Sequence, residues 1–432
     1  MADIWSNLAF SLFLCMMKDF QASPVVVTDE FWRFVETHQH EDVMKLRLKF
    51  HRNNEAWVEN AINHIECLKK CGKKFGSLQP RLMQSPLSVE QATSERVALL
   101  HGEIAKQIVG DAKCILDMTC GMGIDLRAIA TSLNCSAVGI EMNPTLASVT
   151  GYNFGDIEAV EILSCDSVGW LERYSGNKFD LVFIDPARRG DAGQRVFNIH
   201  HCQPDISELL PLLSLKARFA MVKLSPMLDV TQTLRDLPFS AELHVIDDGG
   251  ECRELLAVLD FERDCHMEAA IVVHSAHMEL AFTYSDNQEC ECRFGMGLPG
   301  QWLFEPSPAA MKSKPFGVLC TRYGLVKFHP NTHLFVGDAP VEGLPGRWYE
   351  IEEVAEFSSS AIKSISKRGM SADVAVRNFP LKAEEFQKRL KIKPGGLRRI
   401  IGATISASDS TEKRMIFILK KPSHSNLSLI HI

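Results

Sequence analysis

The sequence predicts an α/β protein built around a doubly wound, mostly parallel β-sheet, with a helical region before the sheet and an α+β region after it. Three observations predict this fold class. Apolar residues recur at helical spacing between residues 28 and 109. Short apolar runs then alternate with helix-length segments up to residue 262, as in parallel strands joined by crossover helices. From residue 325 onward, strand and helix patterns mix without that alternation.

The composition is that of an ordinary soluble globular protein, with 46% hydrophobic and 23% charged residues. These values exclude a largely disordered, collagen-like or multi-span membrane protein. At 432 residues the chain is expected to form two or three domains. Its 13 cysteines have no regular spacing, which disfavours a secreted disulfide scaffold and predicts a reducing, cytoplasmic location.

Residues 1–17 are predicted to be an extension that precedes the true start of translation. Their apolar run, residues 4–17, is too short to span a bilayer, which needs about 20 residues. Asp3 precedes the run where a signal peptide carries Lys or Arg, and no convincing cleavage site follows. We therefore expect synthesis to begin at Met16 or Met17, and we expect no membrane association.

Residues 18–105 are predicted to form a helical subdomain. Apolar side chains recur at helical spacing around Trp32 and again from Trp57 to Leu68. Ser88 and Gln91 have the spacing of a capping box, which predicts that a helix starts at Ser88. The apolar stripe behind this start then leads into the first strand.

The central region, residues 106–262, contains seven predicted strands. They are Lys113–Asp117, Ala137–Glu141, Ala159–Leu163, Phe179–Asp185, Arg218–Leu224, Ala241–Ile246 and Leu255–Asp260. Residues 247–254 are too few for a crossover helix, so the last two strands are expected to pair antiparallel. The prediction is therefore five parallel strands followed by an antiparallel pair.

The remaining chain is predicted to mix strands and helices. A strand pair, Ala269–Val273 with Leu280–Tyr284, follows the central region, and Ser307-Pro308 predicts a helix start because Pro is favoured at the first helical position. Further predicted strands are Thr332–Val336, Trp348–Val354, Val374–Phe379 and Met415–Leu419, with helices near 359–368 and 381–392. Residues 423–432 are predicted to be a flexible tail.

The first predicted strand of the central region ends in a short glycine-containing loop, residues 117–125, with the sequence DMTCGMGID. Gly121 and Gly123 allow the backbone to turn tightly and to approach a ligand closely. A dinucleotide fingerprint has a third glycine that is missing here, and Asp125 near the helix start would repel a pyrophosphate. The loop therefore favours a ligand that carries cationic groups, such as a sulfonium or an ammonium.

Acidic residues also stand at the ends of the next three predicted strands. Glu141 is placed to accept hydrogen bonds from both hydroxyls of a ribose, and Asp166 from an adenine amino group. Asp185 begins the sequence Asp-Pro-Ala-Arg-Arg. A single acid at a strand end is more often an incidental solvent-exposed residue, but four acids at four successive strand ends are unexpected by chance. They predict one ligand site at the carboxyl edge of the sheet.

With these residues the sequence resembles the class I S-adenosylmethionine-dependent methyltransferases over about residues 106–262. The resemblance implies a seven-stranded Rossmann-like sheet, methyltransferase activity and S-adenosylmethionine as the cofactor. The residues that it implies for cofactor binding are Asp117, Thr119, Cys120, Gly121, Gly123, Asp125, Glu141, Met142, Asp166 and Ser167. The residues that it implies for catalysis are Asp185, Pro186, Arg188 and Lys223.

More closely, the chain resembles a bacterial methyltransferase family with a C-terminal THUMP-like domain. The motifs that carry this resemblance are DMTCGMGID (117–125), IDPARRG (184–190), VKLSPMLD (222–229), GGECREL (249–255), LFEPSPAAMK (303–312), KFHPNTHLF (327–335) and VRNFPL (376–381). The match runs from about residue 41 to 421. It implies a small ferredoxin-like module near 277–319, a THUMP-like domain at 320–422 and a similarity to RNA methyltransferases.

The acceptor of the methyl group has several candidates. Amino-methylating relatives often carry an aromatic residue after Asn/Asp-Pro-Pro, where this chain has Ala187 and Arg188, and the Arg188 guanidinium can stack on a base instead. Asp185 and Lys223, with Glu251 or Glu254, resemble part of the Lys-Asp-Lys-Glu set of ribose 2′-O-methyltransferases. A base nitrogen is the leading prediction. The alternatives are a ribose oxygen, a small molecule, a protein, or an inactive RNA-binding protein with this fold.

Cysteine and metal chemistry are not expected at the site. Methylation at C5 of a pyrimidine needs a cysteine nucleophile, and no cysteine here has the sequence setting of those enzymes. The thiols near predicted loops are therefore expected to be buried and inert; they are Cys120, Cys165, Cys202 and Cys252. We expect no structural zinc because Cys290 and Cys292 lack a matching second pair.

The C-terminal region is predicted to bind a polyanion. Residues 361–421 hold 15 Lys and Arg against 5 Asp and Glu, in a chain whose net charge is −7. The basic residues, interspersed with Phe379 and Phe386, are Lys363, Lys367, Arg368, Arg377, Lys388, Arg389, Lys391, Lys393, Arg398 and Arg399. Such a surface binds phosphates without reading sequence, and an unoccupied charged surface is the alternative. The THUMP-like resemblance favours structured RNA, tRNA or ribosomal RNA, as the partner.

Overall fold

The computed structural model describes residues 27–53, 55–188, 199, 202–264, 267–275, 281–285, 291–406 and 411–421. The predicted extension 1–17 and the predicted tail 423–432 lie outside these residues. Contacts between Cα atoms divide the chain into two compact units. The first unit is Met1–Ala241 with Leu256–Met267, and the second is Glu242–Leu255 with Glu268–Ile432.

The first unit begins with helices, as the apolar spacing predicts. They are α1 Asp29–His38, α2 Val43–Lys49, α3 Ala56–Cys71, α4 Pro86–Gln91 and α5 Glu95–Val109. Phe31 of α1, Leu46 of α2 and Ile65 of α3 are buried in one cluster. Burial of these apolar side chains is what holds short helices together, because helices of this length are marginal in isolation.

The predicted helix start at Ser88 is wrong. Ser88 lies inside α4, which begins two residues earlier at Pro86. The cap is Ser85, whose Oγ accepts a hydrogen bond from Ser88 N at 3.1 Å. Proline at the first helical position needs no backbone hydrogen bond, which fixes the start of the helix there.

The central region of the first unit alternates strands and helices. The elements are β1 Cys114–Asp117, α6 Ile124–Leu133, β2 Ser136–Ile140, α7 Pro144–Phe154, β3 Val160–Leu163, α8 Ser167–Arg173, β4 Phe179–Ile184, β5 Ala187–Arg188, β6 Cys202–Gln203, α9 Ile206–Lys216, β7 Ala217–Leu224 and α10 Val230–Asp236. Strands β3, β2, β1, β4 and β7 lie side by side in that order, and every neighbouring pair is parallel. The five predicted parallel strands are therefore confirmed, and their carboxyl ends meet at one edge.

Four further strands complete this sheet. They are β8 Ser240–Asp248, β9 Glu251–Asp260, β10 Ala270–His274 and β11 Phe282–Ser285. Of these, β8 and β9 are the predicted last pair, and β10 and β11 are additional to the predicted sheet. Over the described residues the sheet has nine strands, in the order β11-β10-β8-β9-β7-β4-β1-β2-β3, rather than the predicted seven. The two extra strands join because β10 pairs in parallel with β8 and antiparallel with β11.

The predicted pairing of the last two strands, β8 and β9, is confirmed. The two strands are neighbours in the sheet, and only Gly249 and Gly250 lie between them. Both glycines have positive φ, 63° and 86°. A two-residue hairpin turn with positive φ at both positions matches the right-handed twist of the flanking strands, which glycine adopts without strain.

The second unit contains a separate mixed sheet with helices. Its elements are β12 Trp302–Pro306, α11 Pro308–Ser313, α12 Phe316–Tyr323, β13 Val326–His329, β14 Thr332–Gly337, β15 Gly346–Glu356, α13 Ser359–Ser366, β16 Ser371–Arg377, α14 Ala383–Leu390, β17 Lys393–Ser406 and β18 Glu412–Lys420. The strand order is β13-β14-β12-β15-β18-β17-β16. One core cluster includes Leu303, Phe328 and Phe417, and another packs Ile365 of α13 and Phe386 of α14 against the strands.

The predicted helix start at Ser307-Pro308 is confirmed. Strands β12, β13 and β17 were missing from the prediction. The first residues of β17, Lys393 to Gly396, are turn formers, and Gly395 and Gly396 both have φ of 88°. The pairing with β16 shifts here, since Ser371 pairs with Lys393 while the next residue pairs with Arg398. This bulge separates the irregular start of β17 from its regular, buried part.

No helix among the described residues is both long enough and apolar enough to cross a membrane.

A buried amide ties the helical region to the central region within the first unit. The Asn153 side chain of α7 is almost fully buried. Its Oδ1 accepts a hydrogen bond from Leu82 N at 2.8 Å, and its Nδ2 donates to Leu82 O at 2.9 Å. Both backbone groups of Leu82 are thus satisfied by one side chain away from water.

Replacement of Asn153 by Ala is expected to destabilise the first unit by about 2–4 kcal/mol, because it leaves a buried N–H and a buried C=O without partners. Urea unfolding followed by tryptophan fluorescence measures the change. The control is Asn177→Ala, at an exposed position whose side chain makes no hydrogen bond to the part of the chain that the structure describes. Equal unfolding midpoints for the two variants would contradict the role given to Asn153.

Candidate active site

Four carboxylates and one ammonium meet at the carboxyl edge of the parallel strands. Asp117 ends β1, Glu141 directly follows β2, Asp185 directly follows β4, and Lys223 lies near the end of β7. Asp166 precedes α8 and caps it, since its Oδ2 accepts a hydrogen bond from Gly169 N at 2.7 Å. These positions follow from the fold, because parallel strands present all their carboxyl ends on one side.

The loop after β1 is shaped by its glycines. Gly121 and Gly123 have positive φ, 54° and 75°. A Cβ at Gly123 would lie 2.4 Å from Phe154 Cε2, so any larger residue would collide with α7. Thr150 of α7 also donates a hydrogen bond from Oγ1 to Gly121 O at 2.7 Å. The loop therefore packs directly on α7 and leaves its other side open to a ligand.

Glu141 organises this loop from the neighbouring strand. Its Oε2 accepts a hydrogen bond from Gly121 N at 3.0 Å, and its Oε1 accepts one from Asn143 N at 2.7 Å. Two backbone donors fix the orientation of the carboxylate, which leaves its remaining lone pairs directed along the edge of the sheet.

Two cavities lie along this edge, with volumes of about 220 and 630 Å³. Thr119, Glu141 and Asp185 line both of them, so the cavities adjoin. The predicted residues that line the smaller cavity are Asp117, Thr119, Cys120, Gly121, Asp125, Glu141 and Asp185. Those that line the larger cavity are Thr119, Glu141, Met142, Asp166, Ser167 and Asp185.

Three predicted site residues whose side chains are described line neither cavity. Gly123 shapes the loop from behind, as described above. Pro186 is next to Asp185, and Lys223 contacts Asp185 directly. The side chain of Arg188 lies outside the described residues.

Asp117 is held in an environment that disfavours its negative charge. Its side chain is 1% exposed, and its Oδ1 accepts a hydrogen bond from Thr119 N at 2.9 Å. Burial raises the pKa of the Asp117 carboxyl well above its ordinary range, and the charges of Asp125, Asp185 and Glu141 raise it further. A cation bound nearby would relieve this repulsion.

Asp125 shows the opposite effect in the same cavity. Its Oδ2 accepts a hydrogen bond from Thr93 Oγ1 at 2.5 Å, and its Oδ1 lies 2.8 Å from His101 Nδ1. Burial opposes its ionisation, but the hydrogen bonds and charges of His101, Lys223 and Thr93 lower the pKa of Asp125 to about 2. Asp125 is therefore a fixed negative charge. Its side chain lines the smaller cavity, and its oxygens are hydrogen-bonded to Thr93 and His101 of the helical region.

Asp185 and Lys223 form an ion pair at the rim shared by the two cavities. Lys223 Nζ lies 2.7 Å from Asp185 Oδ2 and also donates to Thr93 Oγ1 at 3.0 Å. Asp185 N donates to Thr119 Oγ1 at 2.7 Å, which fixes the start of the loop after β4. The Asp185 side chain is 43% exposed, against 14% for Lys223. The Asp185 carboxylate is thus accessible to solvent, while the Lys223 ammonium that contacts it is mostly buried.

Thr93 and His101 were missing from the predicted site. Both belong to the helical region, far from the strand-end motifs in sequence. A threonine before a helix and a histidine on an apolar helix face carry no chemical signal of their own. The acids at the strand ends could be predicted because the fold places them together, whereas the helices that cover them could not.

Of the four thiols that were predicted to be buried, Cys120 is buried, whereas Cys165, Cys202 and Cys252 are half-buried. Burial raises the pKa of Cys120 well above its ordinary range. Burial also raises the pKa of Cys165 and of Cys252, each to about 11. Thiols that remain protonated at neutral pH are poor nucleophiles.

The predicted basic surface of the C-terminal region is smaller than the sequence suggests. Half of its members are ion-paired, as Arg368–Glu353, Arg377–Glu305, Arg389–Glu385, Arg398–Glu352 and Arg399–Glu305. Phe386 is fully buried and Phe379 packs on the same core, so these rings are structural rather than free for stacking. Exposed lysines without an ion pair among the described residues are Lys363, Lys367, Lys388, Lys391 and Lys393.

The C-terminal region matches two family models. Residues 346–420 match a model described as THUMP domain-like, and residues 302–345 match a ferredoxin-like domain model. The bounds predicted from the sequence, 277–319 and 320–422, stay predictions. No curated protein matches the sequence.

A solved structure is similar over most of the chain. The crystal structure of a candidate methyltransferase from Porphyromonas gingivalis W83 has 26% sequence identity and a TM-score of 0.78, and the match covers 92% of this chain and 100% of that chain. The chain therefore has a methyltransferase fold over most of its length. The predicted fold, enzyme class and THUMP-like region are confirmed, and S-adenosylmethionine is the cofactor of this class.

Other solved structures match smaller parts of this methyltransferase. A candidate class I S-adenosylmethionine-dependent methyltransferase from Listeria monocytogenes is 12% identical, with a TM-score of 0.37 and coverage of 57% of this chain and 94% of that chain. An RNA methyltransferase from Salinibacter ruber in complex with S-adenosylhomocysteine is 15% identical, with a TM-score of 0.28 and coverage of 39% and 93%. At these TM-scores the two matches carry no argument about the activity of this chain.

The chemistry of the cleft fits this cofactor. The smaller cavity is lined by Asp117, Asp125, Glu141 and Asp185, and burial together with the charges of the other three raises the pKa of Asp117. A donor set with an excess of carboxylates favours a cation over a phosphate. The larger cavity lies within the usual size of small-molecule sites, about 300–1,000 Å³.

Replacement of Glu141 by Ala is expected to weaken binding of S-adenosylhomocysteine by about 1–3 kcal/mol, because the glycine loop and the ligand both lose a carboxylate acceptor. Isothermal titration calorimetry measures the affinity. Glu158→Ala is the control, since Glu158 is exposed and lies outside both cavities. An unchanged affinity of the Glu141 variant for S-adenosylhomocysteine would show that Glu141 does not contribute to cofactor binding.

Binding of S-adenosylmethionine is expected to depend on the protonation of Asp117. The bound cation favours the ionised carboxylate, so binding releases a proton and the affinity decreases as the pH falls through the raised pKa. Calorimetry in two buffers of different ionisation enthalpy measures the proton release. The Asp117→Asn variant is expected to release no proton on binding. If the wild type also releases no proton, the role given to Asp117 is contradicted.

Proposed function

We propose that this methyltransferase transfers the methyl group of S-adenosylmethionine to a base nitrogen of structured RNA, in the cytoplasm. The observation that carries the proposal is the continuous cleft in which the carboxylates of successive strand ends meet the Asp185–Lys223 pair. One part of this cleft suits a cationic donor, and its rim presents a hydrogen-bond acceptor to a second molecule.

The cofactor residues are assigned from their positions in the two cavities. Asp117 and the backbone of Gly121 lie in the smaller cavity, where the carboxylate suits an ammonium group. Glu141, shared by both cavities, suits the ribose hydroxyls. Met142 and Asp166 line the larger cavity, where the exposed Met142 side chain offers an apolar surface to a base. When bound, the cofactor supplies an electrophilic methyl group on its sulfonium.

The residues of the rim prepare the acceptor. Methyl transfer needs the acceptor lone pair to be oriented and, for an amine, a proton to leave afterwards. Asp185 can accept a hydrogen bond from an acceptor N–H while Lys223 holds its other side. Thr119 fixes the backbone from which this carboxylate projects. The role of Arg188 as a stacking group stays a prediction.

RNA as the substrate is supported by the C-terminal region. It matches the THUMP domain-like model, and it carries exposed lysines on and after α13 and α14. Flexible ammonium groups bind phosphates as point charges and add salt-dependent affinity without sequence specificity. The ion-paired arginines contribute less, because their charges are already compensated.

Methylation of a ribose 2′ oxygen is the second candidate, and the Asp185–Lys223 pair favours it. An ammonium 2.7 Å from a carboxylate is an arrangement that can hold a hydroxyl and favour its ionised form. The two candidates place the new methyl group on different atoms, so one experiment separates them.

Incubation of the protein with tritiated S-adenosylmethionine and total RNA from cells that lack this gene tests the proposal. Label is expected in RNA, on the base of a single nucleoside after digestion, and Asp185→Asn is expected to reduce it by about 10²-fold or more. Asp111→Asn, at an exposed position outside both cavities, is the control and should retain full labelling.

Label on the ribose would establish the second candidate instead of the first. Absence of label from RNA, with S-adenosylmethionine bound by the protein, would overturn the assignment of RNA as the substrate.

A further inference from the structure

A continuous series of hydrogen bonds joins the helical region to the rim of the site, all within the first unit. His101 Nδ1 lies 2.8 Å from Asp125 Oδ1, and Thr93 Oγ1 lies 2.5 Å from Asp125 Oδ2. Lys223 Nζ lies 3.0 Å from Thr93 Oγ1 and 2.7 Å from Asp185 Oδ2. Every step is within hydrogen-bond distance.

The direction of these bonds is fixed by chemistry. Thr93 has a single hydroxyl proton, and the ionised Asp125 can only accept, so the Thr93 hydroxyl donates to Asp125. The ammonium of Lys223 can only donate, so it donates both to Thr93 Oγ1 and to the Asp185 carboxylate. In this series the neutral Thr93 hydroxyl therefore lies between the Asp125 carboxylate and the Lys223 ammonium and is hydrogen-bonded to both.

The series is protected from water over most of its length. His101 is fully buried, Thr93 is 7% exposed and the Lys223 side chain is 14% exposed. Hydrogen bonds in such surroundings are stronger and more directional than on the surface, while the loss of one partner is costly. The exposed end is Asp185, at the rim.

The residues of the series come from separate parts of the first unit, and His101 lies in α5. Thr93 lies between α4 and α5, Asp125 in the first turn of α6, Lys223 in β7, and Asp185 directly after β4. The helical region supplies the Thr93 hydroxyl, which accepts a hydrogen bond from Lys223 Nζ at 3.0 Å while the same ammonium contacts Asp185 Oδ2.

We propose that Thr93 is a positioning residue of the methyltransferase: its hydroxyl fixes the Lys223 ammonium, which in turn holds the Asp185 carboxylate in place for the acceptor. The helical region thereby contributes the Thr93 hydroxyl to the active site. This inference rests on the proposed function, because it takes Asp185 as the residue that faces the acceptor.

The variants that test the inference differ only in the hydroxyl. Thr93→Val has nearly the same shape but cannot donate to Asp125 or accept from Lys223, whereas Thr93→Ser keeps both hydrogen bonds. Thr37→Val is the matched control, because Thr37 lies on α1 with its hydroxyl bonded only to Arg33 O in the described structure. Should Thr93→Val fail to fold, Thr93→Cys replaces it, since a thiol is a weak donor and a weak acceptor.

The first readout is labelling of total RNA by tritiated S-adenosylmethionine. Thr93→Val is expected to reduce the rate by about 10–100-fold, as expected for a misplaced reacting group, while Thr93→Ser stays close to the wild type. In a Lys223→Met background, Thr93→Val is expected to add no further loss, because its effect acts through Lys223.

The second readout does not depend on the acceptor. Crystal structures of the wild type and of Thr93→Val with S-adenosylhomocysteine are expected to differ at one contact, with Lys223 Nζ within hydrogen-bond distance of Asp185 in the wild type and displaced in the variant. A variant that keeps this contact overturns the inference. So does a Thr93→Val effect of full size in the Lys223→Met background, because it would be independent of Lys223.

The failure of the proposed function is recognised separately. If the wild type labels no RNA, the RNA assignment is wrong, whereas the crystallographic comparison still supports or overturns the role of Thr93. If the wild type labels RNA and Thr93→Val labels it equally well, the proposed function stands and the positioning role is wrong.

Discussion

The repulsion between carboxylates gathered at one edge of a parallel sheet is the constraint that organises this molecule. Parallel strands must present their carboxyl ends together, and here those ends carry Asp117, Glu141 and Asp185. Each charge is compensated by a different means. Backbone N–H groups face Glu141, an ammonium faces Asp185, and burial keeps the pKa of Asp117 high. The residual negative field is the property that selects a cationic ligand.

Asp117 and Asp125 illustrate how much local partners matter in such a field. Both are buried carboxylates in one cavity, yet the pKa of one is raised and the pKa of the other is lowered. The difference arises because His101 and Thr93 reach Asp125 from the helical region, while Asp117 has one backbone donor and three like charges around it. The cleft therefore combines a permanent charge with a carboxyl group that responds to the ligand.

The sequence allowed the parallel strands, the glycine loop and the strand-end acids to be predicted, because each follows from a local pattern with one structural outcome. Alternation of apolar runs and helices implies parallel strands, and parallel strands place Glu141 and Asp185 side by side. The participation of Thr93 could not be predicted, since it results from the way that α4 and α5 pack on the sheet. Such packing depends on side chains distant in sequence.

The C-terminal region shows the same limit in two other ways. Arg398 and Arg399 look like part of a free basic surface in the sequence, but cross-strand neighbours such as Glu352 and Glu305 compensate them. Strand β17 begins with Pro and two glycines, a local signal for a turn that the long-range pairing with β16 and β18 overrides. In both cases the missing information was the identity of the residue across the sheet.

The division of the chain into two units is interleaved. The backbone leaves the first unit after Ala241, returns at Leu256 and leaves it again after Met267. A single cut therefore cannot release either unit intact, and neither half of the gene encodes one of them alone. Each unit is therefore assembled from two separate segments of the chain, and no single truncation point separates one unit from the other.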